Sequence, residues 1–323
     1  MVALLLRNIE PAPALPSGFA HPEHVPASLS DDVLAAVLRA GRPQGDAAVL
    51  TVNGVGCATV TAGRGAPILC VHGLGHDAWD WGAFFVRCAN PAAPRARLTA
   101  LDLPGFGLGD KPAEPTSGAW DLSLLVAAVV AAAENIFAAT GERPVVVASS
   151  LGGHVTILAA LERPELFRKL FLCAPGGLVA VSSPMQRLLR AYYSVDAIAG
   201  RPEHEVVANS HKIFAAHGLA VDNALAARKL SVRRSARARE FAVPFAGIVD
   251  DVFQHVVMDR VTQLRMPTMI VVGERDVVVS PDSCATAARR LHGRFLSMPG
   301  IGHCPHLEAP DAFAEVALSF ALS

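Results

Sequence analysis

The segment Pro144-Val-Val-Val-Ala148-Ser149-Ser150-Leu151-Gly152-Gly153 runs from an apolar, β-branched stretch straight into a helical pattern, with a serine among small residues at the junction. A strand that becomes a helix without an intervening loop forces its turning residue into a strained backbone conformation. That strain costs about 1–3 kcal/mol, and small residues two before and two after the turn relieve the crowding. Ala148 and Gly152 fill those places around Ser150, whereas a frame centred on Ser149 puts Val147 and Leu151 there. Ser150 is therefore the candidate nucleophile of an elbow. The competing reading is an ordinary strand-to-helix turn closed by a serine and two glycines.

The rest of the chain repeats the alternation that the elbow implies. Residues 1–46 carry six prolines and read as an extended N-terminal arm. One short helix is expected within it, capped by Ser30, striped by Val33, Leu34, Val37 and Leu38, and stopped by Gly41 and Pro43. Beyond the arm, strands are expected over 48–52, 57–61, 68–71, 98–101, 145–148, 170–173, 269–272 and 294–298. Helices are expected near 81–88, 121–139 and 285–291, after the elbow, and from 311. Such alternation predicts an α/β fold, a mostly parallel sheet with helices on both faces. It breaks at Pro175-Gly176-Gly177 and resumes at Pro267, so the expected layout is a core over 47–177 and 263–323, with a helical cap over 178–262 inserted after the sixth core strand.

Composition narrows the partners. With 52% apolar and 18% charged residues the chain can bury a large core, and a net charge of −1 offers no long-range attraction to nucleic acid or an acidic membrane. A small, largely apolar molecule is the expected partner; oligomeric state is not encoded in any pattern found here. The longest apolar stretch, 122–133, is too short to span a bilayer and reads as a core helix, so no stable membrane insertion is expected. Met1 to Leu6 is shorter than the apolar core of a secretory signal, and the six cysteines form no close Cys-x-x-Cys pair. Both features point to a cytoplasmic protein. No metal is expected, because the pairs His72/His76 and His303/His306 stand beside no thiolate or carboxylate ligand set of characteristic spacing. The run Gly105-Phe-Gly-Leu-Gly109 lacks the spacing of a phosphate loop, so no dinucleotide cofactor is expected either.

A serine hydroxyl becomes a useful nucleophile at neutral pH when an imidazole removes its proton and a carboxylate fixes the tautomer of that imidazole. Asp276, in Gly273-Glu274-Arg275-Asp276, follows the strand expected over 269–272, at the sheet edge where functional groups of parallel sheets gather. His303 sits in a glycine-rich turn after the last strand. Glu274 and His306 compete with them for the two roles, and His72 reads as a structural histidine.

The order Ser, Asp, His resembles the α/β-hydrolase superfamily when joined to His72-Gly73-Leu74-Gly75 after an early strand and Asp102-Leu-Pro-Gly105-Phe106-Gly107 after the next. The resemblance is to its capped serine hydrolases: esterases, carbon–carbon hydrolases and haloperoxidase-like proteins. It implies Asp276 as acid, His303 as base, and the Leu74 and Leu151 backbone amides as an oxyanion hole. The implied activity is cofactor-free cleavage of a carboxylic ester or related acyl bond through an acyl-enzyme. Two alternatives stand beside it. One is carbon–carbon hydrolysis of ring-fission products, whose enzymes usually show His-Gly-x-Gly-Pro-Gly where this chain has His72-Gly-Leu-Gly-His-Asp77. The other is a non-catalytic binding protein on the same fold. Trp79, Trp81, Tyr192 and Tyr193 are candidate pocket residues, and Phe214, Phe241, Phe245, Phe253 and Met258 join the two tyrosines as an expected apolar lid or pocket wall, with ordinary packing between cap and core as the competing reading. Arg228, Lys229, Arg233, Arg234, Arg237 and Arg239 read as a solvated face of the cap.

Overall fold

The computed structural model describes residues 45–89, 95–112, 119–218, 220–222, 224, 225 and 235–323. The expected arm helix, and the side chains of Arg228, Lys229, Arg233, Arg234 and Arg237, lie outside the described residues. Eight strands form one sheet: β1 (Asp46–Val52), β2 (Val55–Gly63), β3 (Ala66–Val71), β4 (Ala96–Leu101), β5 (Val145–Ser149), β6 (Lys169–Cys173), β7 (Thr268–Gly273) and β8 (Arg294–Met298), in the order β1-β2-β4-β3-β5-β6-β7-β8. The first two pairings, β1 with β2 and β2 with β4, are antiparallel, and all the others are parallel. Between β3 and its two neighbours the chain order reverses, which opens the crevice where ligands of open parallel sheets bind.

The central strands are apolar at nearly every position, with Ser149, Lys169 and Thr268 as the polar exceptions at strand ends, because both sheet faces are covered. Leu69, Val71, Val146, Ala148, Leu170, Leu172, Ile270 and Val272 face one core, packed on helices α2 (Leu122–Thr140), α3 (Leu151–Glu162) and α8 (Pro281–Arg290). Ile68, Cys70, Val145, Val147, Phe171, Cys173 and Val271 face the other, against α1 (Gly82–Ala89) and α9 (Pro310–Leu322). Helix α2 is long and apolar enough to cross a membrane by length and composition, with a mean hydropathy of 2.0. Its Leu124, Leu125, Ala128, Val129 and Ala132 are nonetheless buried in the first core.

Between β6 and β7 the chain leaves the sheet and forms α4 (Ser183–Tyr192), α5 (Val195–Ala199), α6 (Glu203–His211) and α7 (Ser235–Val252). Helix α7 lies close on the loops beyond β4: a Cβ on Gly105 would come within 2.5 Å of Pro244, and one on Gly247 within 2.7 Å of Trp120. The Leu122 amide at the start of α2 donates to Asp251 Oδ2 at 2.8 Å, tying the far end of α7 to the core. Within this inserted segment Arg239 is exposed and pairs with Asp196 at 3.1 Å.

Candidate active site

Only Ser150 separates β5 from α3, and it adopts φ 52° and ψ −115°, the strained conformation that the elbow demands. The backbone around it is fixed: Ser150 N donates to Cys173 O at 2.9 Å, while Gly176 N and His154 N donate to Ser150 O at 2.9 and 3.1 Å. Gly152 is required by contact rather than by dihedral. A Cβ there would stand 2.4 Å from Val71 O and 2.5 Å from His72 O, both backbone atoms that cannot swing aside. Gly152→Ala is therefore expected to destabilise the fold by about 1–3 kcal/mol through overpacking. Denaturant unfolding should show a lower midpoint at an unchanged slope.

Asp276 and His303 converge on this serine. Asp276 Oδ1 accepts from the Val278 and Val279 amides at 2.7 and 2.9 Å, which leaves Oδ2 for His303 Nδ1 at 2.8 Å. An ionised carboxylate only accepts, so Nδ1–H is the donor and the lone pair of Nε2 is directed at the Ser150 hydroxyl, 3.0 Å away. Both the Asp276 and His303 side chains are buried, at 0% and 6% exposure, and a low-dielectric setting strengthens each link of the chain. The rival residues are engaged elsewhere. Glu274 Oε2 accepts from Gly300 N at 3.0 Å and braces the turn before His303. His306 is stacked on Trp81, with ring centroids 4.8 Å apart, and its Nε2 lies 3.4 Å from Asp80.

Leu151 is the first residue of α3, where backbone N–H groups have no partner within the helix, and Leu74 lies half-buried in the loop after β3. The two loops approach closely, since a Cβ on Gly73 would be 3.3 Å from that of Ser150. His72 braces this loop as a neutral ring. Burial pushes its pKa down, Nε2 accepts from Leu103 N at 2.9 Å, and Nδ1 donates to Gly73 O at 2.8 Å. Asp102, fully buried, accepts from Ala78 N at 2.7 Å and Leu108 N at 2.9 Å and so links the loops after β3 and β4.

The expected pocket residues separate. Trp81 is fully buried in the second core against Phe84, His306 and Phe313, and contributes to packing rather than to a pocket wall. Trp79 is half-buried in the short 3₁₀ turn Ala78–Trp81. Tyr192 lies beneath Arg201, 4.3 Å from its ring centroid, and Tyr193 packs on Phe245. Phe245 packs on Phe241, and Phe241 on Phe106, so aromatic contacts run from the cap to the loop after β4. A cavity of about 120 Å³ lies there, bounded by Gly75, His76, Phe106, Lys111, Glu240 and Phe241. It borders neither Ser150 nor His303, and of the expected aromatic groups Phe241 lines it while Trp79, Trp81, Tyr192 and Tyr193 do not. His76, which the sequence reading did not single out as a pocket residue, is held by Asp80 Oδ2, 2.8 Å from its Nδ1. The spacing of His76 and Asp80, four residues apart across a turn, was the available signal.

Among the described residues, one buried histidine lacks a well-formed hydrogen bond at either ring nitrogen. This is His154, one turn into α3, which is fully buried. Burial drives its pKa down to about 4. The unfolded chain takes up a proton near pH 6.5 that folded His154 refuses until about pH 4, so stability falls as pH drops through that window, by about 3 kcal/mol in all. His154→Leu is expected to flatten this dependence without loss at pH 7; denaturant titrations at pH 7 and 4.5 check it.

The likeness to known proteins follows the same outline. A pimeloyl-[acyl-carrier protein] methyl ester esterase from Xanthomonas campestris is 27% identical over 272 residues, covering 80% of this chain and 96% of that protein. A 2-hydroxy-6-oxo-6-phenylhexa-2,4-dienoate hydrolase from Burkholderia cepacia is 25% identical over 268 residues, covering 80% and 88%. The solved structure of a thermophilic esterase from Thermogutta terrifontis superposes with a TM-score of 0.70 at 18% identity, covering 85% of this chain and 98% of its own. The sequence pattern of the alpha/beta hydrolase family matches residues 68–316, from β3 into the last helix, and this chain belongs to that family.

Proposed function

We propose that this hydrolase cleaves a carboxylic ester or related acyl bond of a small, largely apolar substrate, without a cofactor, through an acyl-enzyme on Ser150. The observation that carries the reading is the unbroken chain Ser150 Oγ to His303 Nε2 at 3.0 Å and His303 Nδ1 to Asp276 Oδ2 at 2.8 Å, built on the strained elbow. As Ser150 Oγ bonds to the carbonyl carbon, its proton passes to His303 Nε2, and the imidazolium is steadied by Asp276. The Leu74 and Leu151 amides receive the oxyanion. His303 then returns the proton to the departing alcohol as the carbon–oxygen bond breaks. Water repeats the sequence on the acyl-enzyme: His303 takes its proton, the acid leaves, and Ser150 regains its hydroxyl. The six cysteines are all free, which supports a reducing compartment such as the cytoplasm.

A second reading, carbon–carbon hydrolysis, is favoured by the likeness to the Burkholderia hydrolase. The test is a panel of aryl esters of rising acyl length, with a vinylogous ring-fission diketone as a separate substrate, and fluorophosphonate labelling with Ser150→Ala as control. Ester turnover and serine labelling support the first reading. Turnover of the diketone alone supports the second, and no labelling at all returns the chain to the class of binding proteins.

A further inference from the structure

The backbone that carries His303 is held by the cap as much as by the core. His303 N donates to Ile213 O at 2.9 Å, and a Cβ on the preceding Gly302 would stand 2.6 Å from Ile213 O and 2.7 Å from Ala215 N. Four backbone amides converge on one carboxylate, Glu308. Its Oε2 accepts from Gly302 N at 2.8 Å, Ala215 N at 2.8 Å and Ala216 N at 2.9 Å, and its Oε1 accepts from Cys304 N at 2.9 Å. Two of these amides flank His303 in the chain, and the other two belong to the cap segment between α6 and residue 218. Beneath them Phe214 is buried with Cys304 and Leu307, so apolar contact and charge-assisted hydrogen bonds act at the same junction.

We propose that Glu308 is a positioning residue that couples the cap to the base: it clamps the segment 213–216 onto the turn carrying His303, and His303 is aligned with Ser150 only while that segment is docked. The inference rests on the serine-hydrolase reading above and deepens it, because it assigns to the cap a part in assembling the base. The chemistry of the clamp is specific. A carboxylate accepts on both oxygens, as these four donors require. Glutamine of the same shape must turn its NH₂ toward one set of donors, either the single Cys304 amide or the three on the other side. Either choice sets donor against donor and releases one side of the clamp.

The test compares wild type, Glu308→Gln, Phe214→Ala and the double variant. The rate of Ser150 labelling by a fluorophosphonate is one readout, and the downfield signal of the His303 Nδ1 proton is the other. Glu308→Gln is expected to label about 10- to 100-fold more slowly, with kcat on an aryl ester reduced in parallel and KM within about threefold of wild type. Phe214→Ala loosens the same junction from the cap side. The double variant is expected to be no slower than the slower single one, because both act through one junction. Wild-type labelling in Glu308→Gln, or losses that multiply in the double variant, would overturn the proposal. Should Glu308→Gln not fold, Phe214→Ala decides. Its buried site makes a lower melting temperature the expected result, so labelling is measured well below its own melting point: slower labelling by the folded protein supports the coupling, and wild-type labelling refutes it. Should wild type itself not label, the functional reading fails separately, and the coupling is then read from the His303 signal, broadened in Phe214→Ala if it holds and unchanged if it does not.

Discussion

Replacing Ser150 by alanine is expected to lower kcat on an aryl ester by about a million-fold while leaving the unfolding midpoint close to wild type. The hydroxyl is the only atom removed. Alanine keeps the Cβ that already tolerates φ 52°, and the backbone bonds to Cys173, Gly176 and His154 do not involve the side chain. On the proposed mechanism this removes the attacking oxygen and, with it, any use for His303 as a base. His303→Ala is therefore expected to cost about as much as Ser150→Ala, and the two together no more than either alone, since groups that act in one step are grossly non-additive. The turnover that remains should exceed the uncatalysed reaction by about 10³- to 10⁴-fold, from the oxyanion hole and binding. Steady-state kinetics on the three variants measure this. An alanine variant that keeps more than a tenth of wild-type turnover places the nucleophile elsewhere.

These residues were legible before the fold because each obeys a local rule. The elbow is written in five consecutive residues, Ala148 to Gly152, since a strand-to-helix switch without a loop excludes bulk on both sides of its turning residue. Asp276 and His303 follow apolar runs that end in glycine, and parallel strands deliver such positions to one edge of the sheet. What stayed hidden depends on approach between distant segments. Trp79 and Trp81 read alike in the sequence, yet the 3₁₀ turn that holds them leaves one half-buried and folds the other into the core against His306. Glu308 lies five residues beyond His303, at the end of a four-residue helix, and nothing local marks it as an acceptor for the amides of Ala215 and Ala216. The contact of Asp80 with His306 is hidden in the same way, because the two residues are far apart in the chain. The sequence places Tyr192 and Tyr193 between the sixth and seventh strands, and residue type does not say which way their helix turns, here toward Arg201 and Phe245.

Asp276→Asn is expected to lower kcat by about 10⁴-fold with little change in stability, because the substitution reverses a single hydrogen bond. Asp276 Oδ1 takes the Val278 and Val279 amides, and only an acceptor fits there. The asparagine oxygen therefore occupies that side, and its NH₂ faces His303 Nδ1, where Oδ2 lies at 2.8 Å in the native chain. A donor at that place makes Nδ1 the acceptor and moves the ring proton to Nε2. The imidazole then points an N–H at Ser150 Oγ, 3.0 Å away, and has no lone pair with which to take the serine proton. Geometry and burial survive, so a large loss isolates the tautomer as its cause. Nitrogen-15 spectra of the histidines should show His303 protonated at Nε2 in the variant and at Nδ1 in the native chain, with the downfield Nδ1 signal absent from the variant. Turnover within tenfold of wild type, with that signal lost, would mean that His303 does not act as the base. Turnover retained together with the signal would mean that Asp276 does not set its tautomer.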